Sequence, residues 1–402
     1  MMASHSSAGI PAAAQILVAT RKGTFFVEKT ATGWQPRLVG HAGTSVNFVA
    51  RDPYTGRYWA LLGHGHWGAK LSVSDDGGAT WADAPAQICF PEGARFIAQD
   101  MYEDASSEHG VGWKISTKAA TLQKLWVIGF GPGGAVYVGT IPGGLFVSRD
   151  GGASFQLNLP LWNHESRGGD LFASEGTGET KWFGTPASEG GDFAPGIHSI
   201  VVDPRNPQHL MVAVSTAGVI ESLDGGASWH SRNKGMAMDH TPEPEAEWGH
   251  DTHFIEQCVG DPDHLWQQNH AGVFYSRDRG ASWTLVSQPD AGVHFGFPVA
   301  AHDSDGRTAW LVPARGDNQR MALDGGLFVA RTRDGGSTWT QLRDGLPQGC
   351  VYDVVYRHAL AQQGGVVAFG STTGNLYVSD DGGDHWSTVA NNLPPIYSVR
   401  LA

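Results

Sequence analysis

Ser222-Leu223-Asp224-Gly225-Gly226-Ala227-Ser228-Trp229 decides the fold. The Asp carboxylate and the first Ser hydroxyl can accept hydrogen bonds from turn amides, and Gly supplies a positive φ without a Cβ clash. The closing Trp then starts a new strand and offers a large apolar face to a neighbour. Five further segments repeat the pattern Ser/Thr-x-Asp-x-Gly, each closing on an aromatic residue: Ser74 to Trp81, Ser148 to Phe155, Ser276 to Trp283, Thr332 to Trp339 and Ser379 to Trp386. Each follows a short β-type run such as Gly272-Val273-Phe274-Tyr275. A degenerate seventh copy runs from Ala19 to Val27 and closes on Trp34.

The closing aromatics therefore stand at 34, 81, 155, 229, 283, 339 and 386, separated by 47, 74, 74, 54, 56 and 47 residues. About 47 residues is one four-stranded propeller blade. The two 74-residue intervals carry 74 − 47 = 27 extra residues each, within Ala82 to Leu125 and Gln156 to Ile197. Residues 16–402 thus read as one all-β, seven-bladed propeller, with 1–15 as a flexible tail. The first copy begins at Ile16, where a blade's second strand belongs. The final run Ile396-Tyr397-Ser398-Val399-Arg400-Leu401 is one strand long and is expected to become the innermost strand of the first blade. Closing the ring in this way removes an exposed sheet edge.

Composition fits this reading. The 402 residues include 55 Gly and 15 Trp, and 41% are hydrophobic, enough for a large core of short strands and tight turns. The net charge is −13, from 27 basic and 40 acidic residues, and no basic tract occurs, which argues against nucleic acid or an anionic membrane as partner. Cys89, Cys258 and Cys350 are odd in number and far apart, so neither a disulfide framework nor a CxxC metal pair is expected. Buried thiols in a reducing compartment, hence a cytoplasmic protein, are the plain reading, and the first 20 residues lack a basic stretch ahead of an apolar one.

On these turns the chain resembles the sialidase-like propeller superfamily, whose repeats are called Asp boxes or BNR repeats. More narrowly it resembles a bacterial group commonly labelled exo-α-sialidase or glycosyl hydrolase. The resemblance also covers Gly63-His64-Gly65-His66, Trp162-x-His164-x-x-Arg167, His250-x-x-His253, Gln267-Gln268-Asn269-His270 and Phe295-Gly296-Phe297-Pro298. It implies that the Asp-box turns occupy one face and a binding site the other. That second face is built by the segments leading into each innermost strand and by the loops between second and third strands. They bring Arg21, His64, His66, His164, Arg167, His198, Asp251, His253, Asn269, His270, His294, Arg315 and Tyr352 to one side.

Asn47, His198 and Glu256 each stand five residues before an Asp (Asp52, Asp203, Asp261) and are expected at equivalent channel positions, with Trp126, Tyr352 and Tyr397 from other blades. A polar, concave ring of this kind suits a small-molecule ligand. Three readings of the histidines stay open. They are hydrogen-bonded lining; or His64, His66, His253, His270 and His294 hold a divalent metal ion; or His pairs with Glu256, Asp251 or Glu165 for acid–base catalysis. The expected catalytic set is Glu256, His198, Tyr352 and Asp251. The expected substrate-binding set is Arg167, His164, Arg21, Asn269, Trp126 and Arg315. True sialidase chemistry needs an arginine cluster for a carboxylate, and the superfamily's Arg-Ile-Pro motif is replaced here by Arg21-Lys22-Gly23. The expectation is therefore a hydrolase acting on a small polar or carbohydrate-like molecule. A metal-dependent lyase or other metalloenzyme and a non-catalytic assembly propeller are the alternatives.

Overall fold

A computed structural model describes residues 15–66, 68–103, 106, 111–172, 180–182, 194–238 and 243–402. Residues 1–14 of the proposed tail 1–15, and Pro242 of the acidic run at 242–247, lie outside them, and the first strand starts at Gln15, within the span read as tail. Seven four-stranded antiparallel sheets form a seven-bladed propeller. The innermost strands, in ring order, are Ile396–Leu401, Val46–Arg51, Lys124–Gly131, Ile197–Val202, Thr252–Gln257, Gly296–Ala301 and Leu360–Gln363. They define blades one to seven.

The ring closes as the sequence predicts. Ile396–Leu401 pairs antiparallel with Gln15–Thr20, from Thr20 opposite Ile396 to Ile16 opposite Leu401. Ile396 and Val399 are completely buried, so this strand completes both a ladder and a core. The first insertion adds a hairpin, Arg95–Glu103 with Val111–Ala119, beside the ring.

The six repeated turns share one hydrogen-bond pattern. In the fourth blade Ser222 Oγ donates to Asp224 Oδ1 at 2.8 Å and accepts from the Gly226 amide at 2.7 Å. The Ser228 amide and hydroxyl donate to the two Asp224 oxygens at 2.9 and 2.6 Å. The Gly is obligatory for two reasons at Gly152. Its φ is +87°, and a Cβ there would sit 2.3 Å from the Trp59 ring of the preceding blade. The closing aromatics join blades as well. Trp229 Nε1 donates to Asn158, Trp283 Nε1 to the Arg232 carbonyl, and Trp339 Nε1 to the Val286 carbonyl. In the degenerate first copy a Thr30–Gly33 turn replaces the Asp, and Trp34 Nε1 still reaches back to Asp380 of blade seven.

Candidate functional site

Six of the seven innermost strands, all but that of blade seven, pair irregularly with their neighbour near their start, and that irregularity fills the channel. A single residue is skipped at Asn47, Trp126, His198, His253 and Tyr397, and Phe297-Pro298 is skipped in blade six. A bulge of this kind turns an extra side chain out of the ladder. The expected alignment of Asn47, His198 and Glu256 therefore needs correcting, because His253 holds the equivalent place in blade five. The physical reason lies in the following turn. The Cys258 amide bonds the His264 carbonyl as the Asp203 amide bonds that of His209, so Cys258, not Asp261, matches Asp203.

At the end where the inner strands start, Asn47, Lys124, Trp126, Arg320, Tyr356, Arg357, His358 and Tyr397 line a cavity of about 210 Å³. Trp126 carries both Lys124 and Arg357 near its ring, at 5.4 and 5.2 Å from the centroid. Burial, and then the Arg357 charge, bring the Lys124 ammonium down to about 8. Three cations thus face one aromatic-walled pocket in a protein of net charge −13.

Beside this pocket lies an Asp251–His253–His270 cluster, whose ligating atoms all lie within 4.8 Å of one another. Asp251 and His253 sit at the start of the inner strand of blade five, and His270 is in the turn between its second and third strands. Asp251 Oδ2 is 3.5 Å from His253 Nε2 and 3.6 Å from His270 Nδ1. His253 Nδ1 donates to the Gly296 carbonyl at 2.6 Å. Burial pushes the Asp251 carboxyl up, but the two imidazoles and the Arg357 guanidinium more than reverse this and hold it well below the usual carboxylate range. Phe297 links cluster and cavity. It stacks on His253 at 4.8 Å and lies 5.5 and 5.4 Å from the guanidinium carbons of Arg357 and Arg320.

Other expected site residues fall elsewhere. His198 lies deep in the channel, fully buried, with Nδ1 3.1 Å from Ser199 Oγ and Nε2 without a hydrogen-bond partner. Burial, then the Arg357 charge, hold its ring well below the usual imidazole range. Glu256 lies at the opposite end, in a cavity of about 310 Å³ with Phe48, Phe254 and Arg400, so it does not share a pocket with Asp251. Five residues along the inner strand, at about 3.3 Å each, separate the two ends. Tyr352 is 66% exposed, and Tyr356 lines the pocket instead.

Arg167 is buried between Trp162 and Trp182, 4.1 and 4.3 Å from their rings, and donates to the Gly143 carbonyl at 2.8 Å. It anchors the second insertion and does not face the channel pocket. Both ring nitrogens of His164 are engaged, with Ser166 Oγ and the Trp229 carbonyl. Asn269 is buried and holds its own turn through Gln267 and the Ala271 amide. Arg21 is exposed at the rim near Tyr397, and Arg315 is exposed at the base of the loop that carries Arg320. His64 and His66 share a local contact in blade two, 3.1 Å from the His66 amide to His64 Nδ1, and lie outside the Asp251 cluster. His294 is also outside it, packed near Gly272.

Sequence reasoning missed Lys124, Tyr356, Arg357 and His358. Blade seven lacks the Asp-Pro ending that aligned other inner strands, and its strand is only Leu360–Gln363, so no repeat signal marks the residues just before it.

No known family's sequence profile matches the chain. A xyloglucanase from Paenibacillus sp. is 24% identical over 225 residues, covering 50% of this chain and 22% of that protein. An ancestral GH74 enzyme superposes with a TM-score of 0.53 at 17% identity, over 90% of this chain and 40% of its own. A candidate 6-phosphogluconolactonase from Bacteroides fragilis superposes with a TM-score of 0.52 at 10% identity, over 99% of this chain and all of its own. The chain thus spans well under half the length of the xyloglucanase and of the GH74 enzyme. What it has in common with both solved structures, at these identities, is the β-propeller fold.

Proposed function

We propose that this protein is a hydrolase acting on a small anionic, carbohydrate-like molecule at the channel mouth. The observation that carries the reading is the juxtaposition of a cationic pocket with a carboxylate–imidazole cluster. Lys124 and Arg357 flank Trp126, Arg320 lines the same pocket, and the Arg357 charge acts on Asp251. Trp126 offers a face on which a sugar ring can stack, and the three cations hold an acidic substituent, with the guanidiniums able to do so bidentately. Asp251, His253 and His270 then stand where a water attacking the bound molecule would be activated. The partial likeness to a xyloglucanase supports carbohydrate chemistry. A pocket of about 210 Å³ fits a monosaccharide-sized group better than a polymer.

The test is a thermal-shift screen of uronates, sugar phosphates and neutral oligosaccharides, followed by NMR detection of products. Anionic compounds should raise Tm, and Trp126→Ala or Arg320→Ala should weaken their binding about tenfold or more. Binding of neutral oligosaccharides alone would overturn the reading. So would a protein partner occupying this mouth in place of any small molecule.

A further inference from the structure

We propose that Asp251, His253 and His270 bind one divalent transition-metal cation through Oδ2, Nε2 and Nδ1. This deepens the hydrolase reading by naming what activates the water, but it stands on separate observations. The first is hydrogen-bond logic. The Gly296 carbonyl can only accept, so His253 Nδ1 carries the hydrogen and donates at 2.6 Å. The other ring nitrogen, Nε2, then faces a carboxylate oxygen 3.5 Å away. With its hydrogen on Nδ1, the ring can offer the Nε2 lone pair to a cation shared with that carboxylate. A ring fixed through its other nitrogen by a main-chain carbonyl is also the usual state of a metal-bound histidine.

The second observation is distance. A hydrogen bond between those atoms would be closer to 2.8 Å. Ligands at about 2.1 Å from a tetrahedral ion stand about 3.4 Å apart. The observed separations from Asp251 Oδ2 are 3.5 and 3.6 Å. Third, Asp251 Oδ1 is buried and makes no hydrogen bond, as expected of a carboxylate whose needs are met by something other than the fold. A route from solvent exists, since the side chains of Asp251 and His270 are 16% and 29% exposed while His253 is 3% exposed.

Two imidazoles and one carboxylate select a borderline ion such as Zn²⁺, Mn²⁺ or Fe²⁺ over Ca²⁺ or Mg²⁺, which prefer oxygen donors. Three protein ligands leave positions open for water and substrate, the arrangement of catalytic rather than structural sites. A water held there would lose its proton near neutral pH.

The experiment uses the full chain, free of any histidine tag. Elemental analysis after purification in metal-supplemented medium is followed by titration of the stripped protein with ZnCl₂ and MnCl₂ against a chromophoric chelator. One equivalent should bind, and His270→Gln and Asp251→Asn should each weaken binding at least tenfold, while His66→Gln leaves it unchanged. His270 lies in a partly exposed turn, so its variant keeps the test open if the Asp251 variant fails to fold. Absence of stoichiometric binding by the wild type, or binding that survives His270→Gln, overturns the proposal. Metal bound without turnover of any anionic sugar removes the hydrolase reading and leaves the site. Turnover undiminished in metal-free protein removes the cation and leaves the hydrolase.

Discussion

His358 Nε2 donates to the main-chain carbonyl of His198 at 2.7 Å, tying blade seven to blade four across the middle of the ring. His358 lines the cationic pocket on one side, and its ring lies 4.9 Å from Phe48 and 5.4 Å from Phe254, which line the opposite cavity. The pair therefore divides the channel into two mouths of different chemistry. Burial, then the Arg400 charge, keep the His358 ring neutral, so its Nε2 hydrogen is available as a fixed donor. His358→Leu should leave the buried His198 carbonyl without its donor and cost about 1–3 kcal/mol. Urea unfolding measures this directly, and an unchanged midpoint would mean that the bond carries no weight.

The opposite mouth has its own pH signature. Burial lifts the Glu256 carboxyl to about 7, against the pull of Arg400 and the Ala301 amide. Between its ordinary value near 4.5 and about 7 the folded protein holds a proton that the unfolded chain has released. Stability contributed by this group is therefore intact at pH 4.5 and falls as pH rises to about 7. With the side chain 29% exposed, Glu256→Gln should gain roughly 1–2 kcal/mol at pH 8 and little at pH 4.5. Denaturant unfolding at the two pH values tests the difference.

Lys124 makes capture of an anionic ligand pH-dependent as well, again with a loss as pH rises. Its ammonium, at about 8, is charged in neutral solution and loses its proton as the pH rises. Affinity for an anionic sugar should fall as pH passes through about 8, and Lys124→Met should both lower the affinity and flatten that dependence. Calorimetric titrations at pH 7 and 9 report it.

Arg167 separates structure from binding. Arg167→Met removes a buried donor to the Gly143 carbonyl and two cation–π contacts, at a cost of about 2–4 kcal/mol. Ligand affinity at the channel mouth should stay unchanged, because Arg167 lies outside that pocket.

Removing Ile396–Ala402 should abolish cooperative unfolding of the ring. The cut takes away the innermost strand of the first blade together with the fully buried Ile396 and Val399, and it bares the inner edge of Gln15–Thr20. A sharp transition at the wild-type temperature would show the ring holding without its closing strand.

The chain's own order of residues determined the architecture. Six turns of one chemistry and a 47-residue spacing at both ends specify seven blades and a closing strand, because each turn is satisfied by atoms within a few residues of itself. The expectation that Asp251, His253 and His270 share a face comes from the resemblance to sialidase-like propellers, since residues alone do not say which loops meet. Only the tertiary structure decided which groups meet. A bulge moves Trp126, His198 and His253 into the channel, and its place near the end of the inner strand puts Glu256 at the far mouth. Arg167, attractive as an anion anchor, is spent on two tryptophans. Convergence of side chains from different blades depends on one-residue irregularities and on the channel's radius. Neither leaves a periodic mark in the sequence.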